Sequence, residues 1–170
     1  LEPYNGSADP RSRTIRITRN HRGIVLDVGD GEHFVLTRVC THDEAERWMT
    51  NNTFKVNAAT QALEVIDMAS ITTEVEAAVA AEPRSKPSLF AHRRDRDFVN
   101  LGVDDELVPA LMALPSGDPP SGLIGLFPPS QADAVIGLTT DADVDEIYRE
   151  LAGAIHKKFD TDDVVAALEA

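Results

Sequence analysis

Cysteine is almost missing from this 170-residue chain. Cys40 stands alone, so no internal disulfide can form, and a reducing, cytoplasmic setting is expected. Aromatic residues are scarce at 5%, so the core must be largely aliphatic and alanine-rich. No apolar run approaches the ~20 residues that a membrane span needs, so no membrane partner is expected. The opening Leu1-Glu2-Pro3-Tyr4 has neither the basic nor the apolar region of a signal peptide. It also lacks an initiator Met and reads like the tail of an element, so a fragment of a longer protein is expected. Chemical motifs are missing too. There is no G-x-x-x-x-G-K-[ST] loop to cradle a nucleotide phosphate, no G-x-S-x-G and no H-E-x-x-H. Cys40 and His42 have no C-x-x-C or second Cys/His pair beside them, so no metal is expected.

Positive charge is also short: 16 Lys/Arg against 29 Asp/Glu, a net charge of -13. That balance argues against non-specific nucleic-acid binding by the chain as a whole. It is unevenly spread, with 8 Lys/Arg against 10 Asp/Glu in residues 1–70 and 8 against 19 in residues 71–170. Arg11, Arg13, Arg16, Arg19 and Arg22 fall in one stretch that contains no acid. Guanidinium groups on a strand suit phosphate contact because each presents a planar fork of donors. The bland alternative is a solvated sheet face balanced by acids from elsewhere.

Hydrophobic residues at 42% and charged ones at 26% are ordinary for a globular chain of one or two small domains. Alternation predicts strands over 13–19, 23–28 and 34–39, with Ile15 and Ile17 on one face and Thr14, Arg16 and Thr18 on the other. Asn20-His21 is the expected first turn and Gly29-Asp30-Gly31 the second. Thr41 and Glu44 form a capping box for a helix whose apolar stripe is Ala45, Trp48 and Met49, ending at Asn51-Asn52. Residues 54–56 and 62–66 read as a strand pair around Asn57–Gln61. Beyond Ile71, 74–81 reads as a helix and Glu82–Ser88 as a linker with two prolines. Short helices are expected over 89–100, 104–114, 130–138, 141–152 and 161–169. Asp104, Ser130, Asp141 and Thr161 are the candidate N-caps, Gly102 and Gly153 the stops, and Pro109 a kink. The expected class is α+β: a small antiparallel sheet with a packed helix over 1–70, a helix and linker over 71–88, and an all-α segment over 89–170.

Two further groupings invite chemistry. His42 could act as an acid–base group oriented by Asp43, or simply decorate a helix start. The corner from Phe98 through Gly102 to Leu114 has the shape of a phosphate-binding helical hairpin, but Asp104, Asp105 and Glu106 stand where the phosphate would sit.

Two stretches carry a family resemblance. Leu1-Glu2-Pro3, Asp9 through Ile17, His21 through Leu26, and Val39 through Ala45 resemble the C-terminal two-thirds of the RelE/ParE-type toxin fold. Asn57 through Val65 (similar to VNP-x-TGALEV), Leu101-Gly102-Val103 with Leu107 and Pro109, Pro129–Leu138, and Phe159–Asp163 then follow in order. That order is similar to the N-terminal region of UvrD/Rep-type superfamily 1 DNA helicases of actinobacterial character. Ala58 departs from the pattern's proline and Gln61 from its glycine, which predicts a looser hairpin. The resemblance implies an accessory segment that contacts DNA or RNA through its arginines or regulates the helicase, and docks on its own downstream ATPase core. The rival from another class is a purely protein-binding module whose acidic helices mimic or recruit a partner. ATP and Mg are then implied for the longer parent only. RelE-type ribonucleases use a carboxylate, an arginine and a terminal His or Tyr, which places Glu2, Arg22 and His42 as the matching trio. His42 runs on into a helix, so cleavage is not expected.

Overall fold

Period-two alternation builds a sheet in the first third of the chain. In the computed structural model, which describes residues 1–29, 31–81 and 86–158 (side chains of Ser121 and 154–158 excepted), the class is α+β. Strands β1 (Glu2–Pro3), β2 (Ser12–Arg16), β3 (His21–Asp27) and β4 (Phe34–Thr41) form an antiparallel sheet in the order β1-β2-β3-β4. The short β1 carries no alternating pattern that would announce it. The first turn spans Ile17–Asn20, not Asn20-His21, because the Thr18 hydroxyl accepts the Asn20 and His21 N–H groups and closes the loop locally. Gly29 and Gly31 both take positive φ in the second turn; Asp30 between them lies outside the described residues.

Helix α1 (His42–Asn51) starts where β4 ends. Glu44 accepts bonds from both the Thr41 N–H at 2.9 Å and the Thr41 hydroxyl at 2.8 Å. Those bonds hold its carboxyl below the usual glutamate value. The helix buries Ala45 and Met49 against Ile24 and Cys40, with Tyr4 and Trp48 half-buried at the rim. Strands β5 (Asn52–Val56) and β6 (Leu63–Asp67) form a two-stranded sheet. The chain divides into two compact units, one from residues 1–55 with 65–70, the other from 56–64 with the residues from Ile71 onward.

The second unit contains α2 (Met68–Ala81, its first turn in the other unit), α3 (Asp95–Asn100), α4 (Val108–Met112), α5 (Ser121–Ile124), α6 (Pro129–Thr139) and α7 (Val144–Lys158). It buries Phe90 and Phe98 edge to face at 5.0 Å, and Leu101, Leu107, Leu111 and Leu138 are buried as well. Several boundaries move. Residues 89–92 are turns and 93–94 an irregular connection, since the Ser88 hydroxyl accepts Phe90 N–H instead of opening a helix. Asp104 accepts Glu106 N–H in the preceding turn, and α4 begins four residues later with Pro109 in its first turn. Proline there starts the helix, where its missing N–H costs nothing, and does not kink it. Ser130 is inside α6 and gives its hydroxyl to Glu64, so it is not an N-cap. Asp143, not Asp141, serves the start of α7 by accepting Asp145 N–H at 2.8 Å. Gly153 does not stop α7, which runs to Lys158. The helix expected over 161–169, the Phe159–Asp163 motif and linker residues 82–85 lie outside the described residues. No described helix is long and apolar enough to cross a membrane.

Inside the second unit, Asn57, Ser130 and Gln131 meet around one buried carboxylate, Glu64. Glu64 accepts bonds from Asn57 Nδ2 at 3.0 Å, Gln131 Nε2 at 2.7 Å and the Ser130 hydroxyl. Asn57 Oδ1 also accepts the Ala59 and Thr60 N–H groups, which ties the 57–62 turn. Gly102, at φ +83°, closes α3 directly over Asn57; a Cβ there would lie 2.0 Å from Asn57 Oδ1. Gln61 has φ +57°, the left-handed backbone that glycine favours, yet its N–H bonds the Asn57 carbonyl at 2.8 Å and its amide bonds Ala58. The hairpin is therefore tied, not loose.

Two substitutions should move stability in opposite directions. Gly102→Ala meets both the strained φ and the Asn57 side chain, and should cost at least ~2 kcal/mol. Gln61→Gly relieves left-handed backbone strain and should gain roughly 0.5–1 kcal/mol. Urea midpoints read both.

Candidate nucleic-acid interface

Strand alternation decides which of the clustered arginines can act together. β2 and β3 pair in the register Ser12↔Leu26, Thr14↔Ile24 and Arg16↔Arg22. Those residues share the face on which α1 covers Ile24. Arg16 and Arg22 stand directly opposite each other, about 5 Å apart at Cα. Arg16 Nε and Arg22 Nη1 both turn to the Thr18 carbonyl oxygen, each at 3.4 Å, and Arg22 Nη1 also reaches the His21 carbonyl at 3.2 Å. Neither guanidinium has a carboxylate partner among the described residues. Like charges placed opposite one another on a sheet repel. An anion between them turns that repulsion into two charge-assisted bonds. Arg19 is exposed at the turn between them.

Arg11 and Arg13 leave this group. Asp9 is 4% exposed, and a buried carboxylate needs partners. Arg11 supplies most of them: its backbone N–H at 2.9 Å, Nε at 3.0 Å and Nη2 at 2.8 Å. Phe54 N–H adds a fourth at 3.0 Å, and Arg11 also donates to the Phe54 carbonyl. Burial by itself would raise the Asp9 carboxyl, but the Arg11 and Phe54 bonds outweigh it and hold the group below its usual value. Arg11 is thus a clasp joining the start of β2 to β5. Arg13 pairs with Val25 in the register, which puts it on the opposite face, where it donates to the Pro10 and Ser12 carbonyls.

Arg38 is the cation that sequence reasoning missed. The register Arg22↔Cys40 and Ile24↔Arg38 sets it on the face of Arg16 and Arg22, and it is exposed. A register shift at Ile24/Val25 then moves Leu36 to the other face. Simple alternation would have kept Leu36 and Arg38 together, so no pattern in the sequence announces this. Cys40, beside Arg38, is buried, and that burial pushes its thiol up despite the nearby guanidinium. It is packed as an apolar side chain, not exposed as a ligand.

The remaining candidates are less well gathered. Glu2 pairs with Thr14, so it lies on the face of Arg22 but two strands away, roughly 12 Å by strand spacing and rise. The His42 imidazole lies 3.5 Å from Glu46, one turn along α1, while its backbone N–H bonds Asn20. Asp104, Asp105 and Glu106 bring their carboxylate oxygens within 4.8 Å of one another, with Asp104 buried. They surround the turn after Gly102 with negative charge.

Compared with known proteins, the chain matches no protein-family model, no curated protein and no solved structure.

The Asp9 clasp gives a pH signature. Because the folded carboxyl is held below its ordinary value near 3.8, its contribution is complete above that value. It fades as pH falls through the lower, folded value. Asp9→Asn should cost about 2 kcal/mol at neutral pH, a buried-pair figure reduced because Arg11 is half exposed. The gap from the wild type should close as denaturation curves are taken down toward pH 2.

Proposed function

We propose that this chain is an accessory, nucleic-acid-contacting segment of a larger ATP-dependent DNA helicase. The observation that carries the contact is the Arg16–Arg22 pair: an exposed and a half-buried guanidinium group meeting at one carbonyl with no carboxylate partner among the described residues. A phosphate is the anion whose shape and charge suit that fork. Arg19 and Arg38 extend the positive face, while Arg11 and Arg13 do not take part.

The helicase assignment rests on the resemblance of Asn57–Val65, Leu101–Val103 and Pro129–Leu138. It is supported by the way those segments gather around Glu64. It is also supported by Gln61, which takes left-handed backbone where that family favours glycine. In such a parent the ATP and Mg site belongs to the downstream core, with which this segment would associate, in the cytoplasm. The alternative, a RelE-type ribonuclease, would need Glu2, Arg22 and His42 at one scissile phosphate; His42 lies 3.5 Å from Glu46.

Fluorescence anisotropy with a labelled oligonucleotide tests the proposal. Weak binding should fall steeply with salt, and reversing Arg16 and Arg22 to Glu should remove it. The log–log salt slope should flatten by roughly 0.7–0.9 for each phosphate that is no longer neutralised. Reversing Arg13 should change it little. Equal affinity in the wild type and the Arg16/Arg22 variant would refute the assignment. RNA cleavage that disappears in His42→Ala would establish the ribonuclease instead.

A further inference from the structure

The two edges of the four-stranded sheet differ. β1 closes one side with two residues, one of them Pro3, which blunts that edge. β4 closes the other with eight residues and is the longest strand of the sheet. It has no proline and a single charged side chain, Arg38. No backbone hydrogen bond joins its outer edge to another described residue. Val35, Leu36 and Val39 are 42%, 55% and 51% exposed. The register shift sorts these side chains. Leu36 and Val39 share the face where Ile15 lies over Gly23, while Val35 and Arg38 share the opposite face with Arg16 and Arg22.

We infer that the outer edge of β4 is a docking site for an extended protein segment that alternates acidic with apolar side chains and adds a fifth strand to the sheet. A row of unpaired N–H and C=O groups recognises extended backbone, and alternate side chains set specificity. On one face the incoming side chains meet Val35 and the guanidinium of Arg38, which calls for a carboxylate opposite it. On the other they meet Leu36 and Val39, which call for apolar groups. A second copy of β4 satisfies only half of this. Phe34–Thr41 contains no acid, and self-pairing would bring Arg38 near its own twin.

A fluorescein-labelled peptide of about ten residues alternating glutamate and valine, the length of a long strand, is the probe. A lysine–valine peptide is the control. The 170-residue chain should bind the glutamate peptide at least ~10-fold more tightly than the lysine peptide. Arg38→Glu should reverse that preference, and the Leu36→Lys/Val39→Lys double variant should lose both peptides. Circular dichroism and amide exchange in β3 verify that the variants fold. In the wild type, the glutamate peptide should slow amide exchange within Phe34–Thr41. Absence of binding, binding indifferent to both variants, or unchanged β4 exchange overturns the inference. So does a wild-type dimer that the double variant dissolves, since the occupant would then be a second copy.

Discussion

Asp9 is a carboxylate taken out of water, and much of the first unit is arranged to answer it. A buried anion without donors would cost several kcal/mol, enough to unfold a small unit. Arg11 and the Phe54 N–H meet that demand together, and in doing so they join the start of β2 to β5 across more than 40 residues of chain. The same bonds remove Arg11 from the surface. An arginine that looked like one member of a cationic run is instead part of the frame that holds the run in place.

With Arg11 fixed, alternation sorts the rest. A strand sends successive side chains to opposite faces, so five arginines in a row cannot make one patch. Arg13 goes one way; Arg16 and Arg22 go the other and meet across the ladder. Their only bonds among the described residues are to carbonyl oxygens at 3.2–3.4 Å, and a like-charged pair held so loosely remains available to a stronger anion. The irregularity in the β3–β4 ladder adds Arg38 to that face and leaves Leu36 and Val39 exposed on the other. One displaced residue thus sets both the reach of the cationic face and the apolar character of the free edge.

The second unit shows the same logic with neutral donors. Glu64 is buried without a cation among its bonded partners, and Asn57, Ser130 and Gln131 satisfy it. Asn57 also lies under Gly102, so one side chain positions a turn, a buried carboxylate and a helix end. Arg93 completes the frame by donating to the Leu138, Thr140 and Ala142 carbonyls at the end of α6. Such a cap joins residues nearly 50 apart in sequence.

Sequence by itself determined what depends on near neighbours. The three long strands, the Thr41–Glu44 cap, the apolar stripe of α1 and the glycine turns are all set by interactions within a few residues, and all were readable. So were the mixed α+β class and the acidic balance. Tertiary structure decided what depends on distant partners. Phe54, 45 residues away, fixes the Asp9 carboxylate that holds Arg11, and Glu64 claims Ser130 from 66 residues away and so denies it a capping role. The register shift in β4 was equally hidden, because period two looks the same with or without an extra residue until the partner strand is present. Local propensity places the elements; only long-range pairing says which charges are spent inside and which stay at the surface.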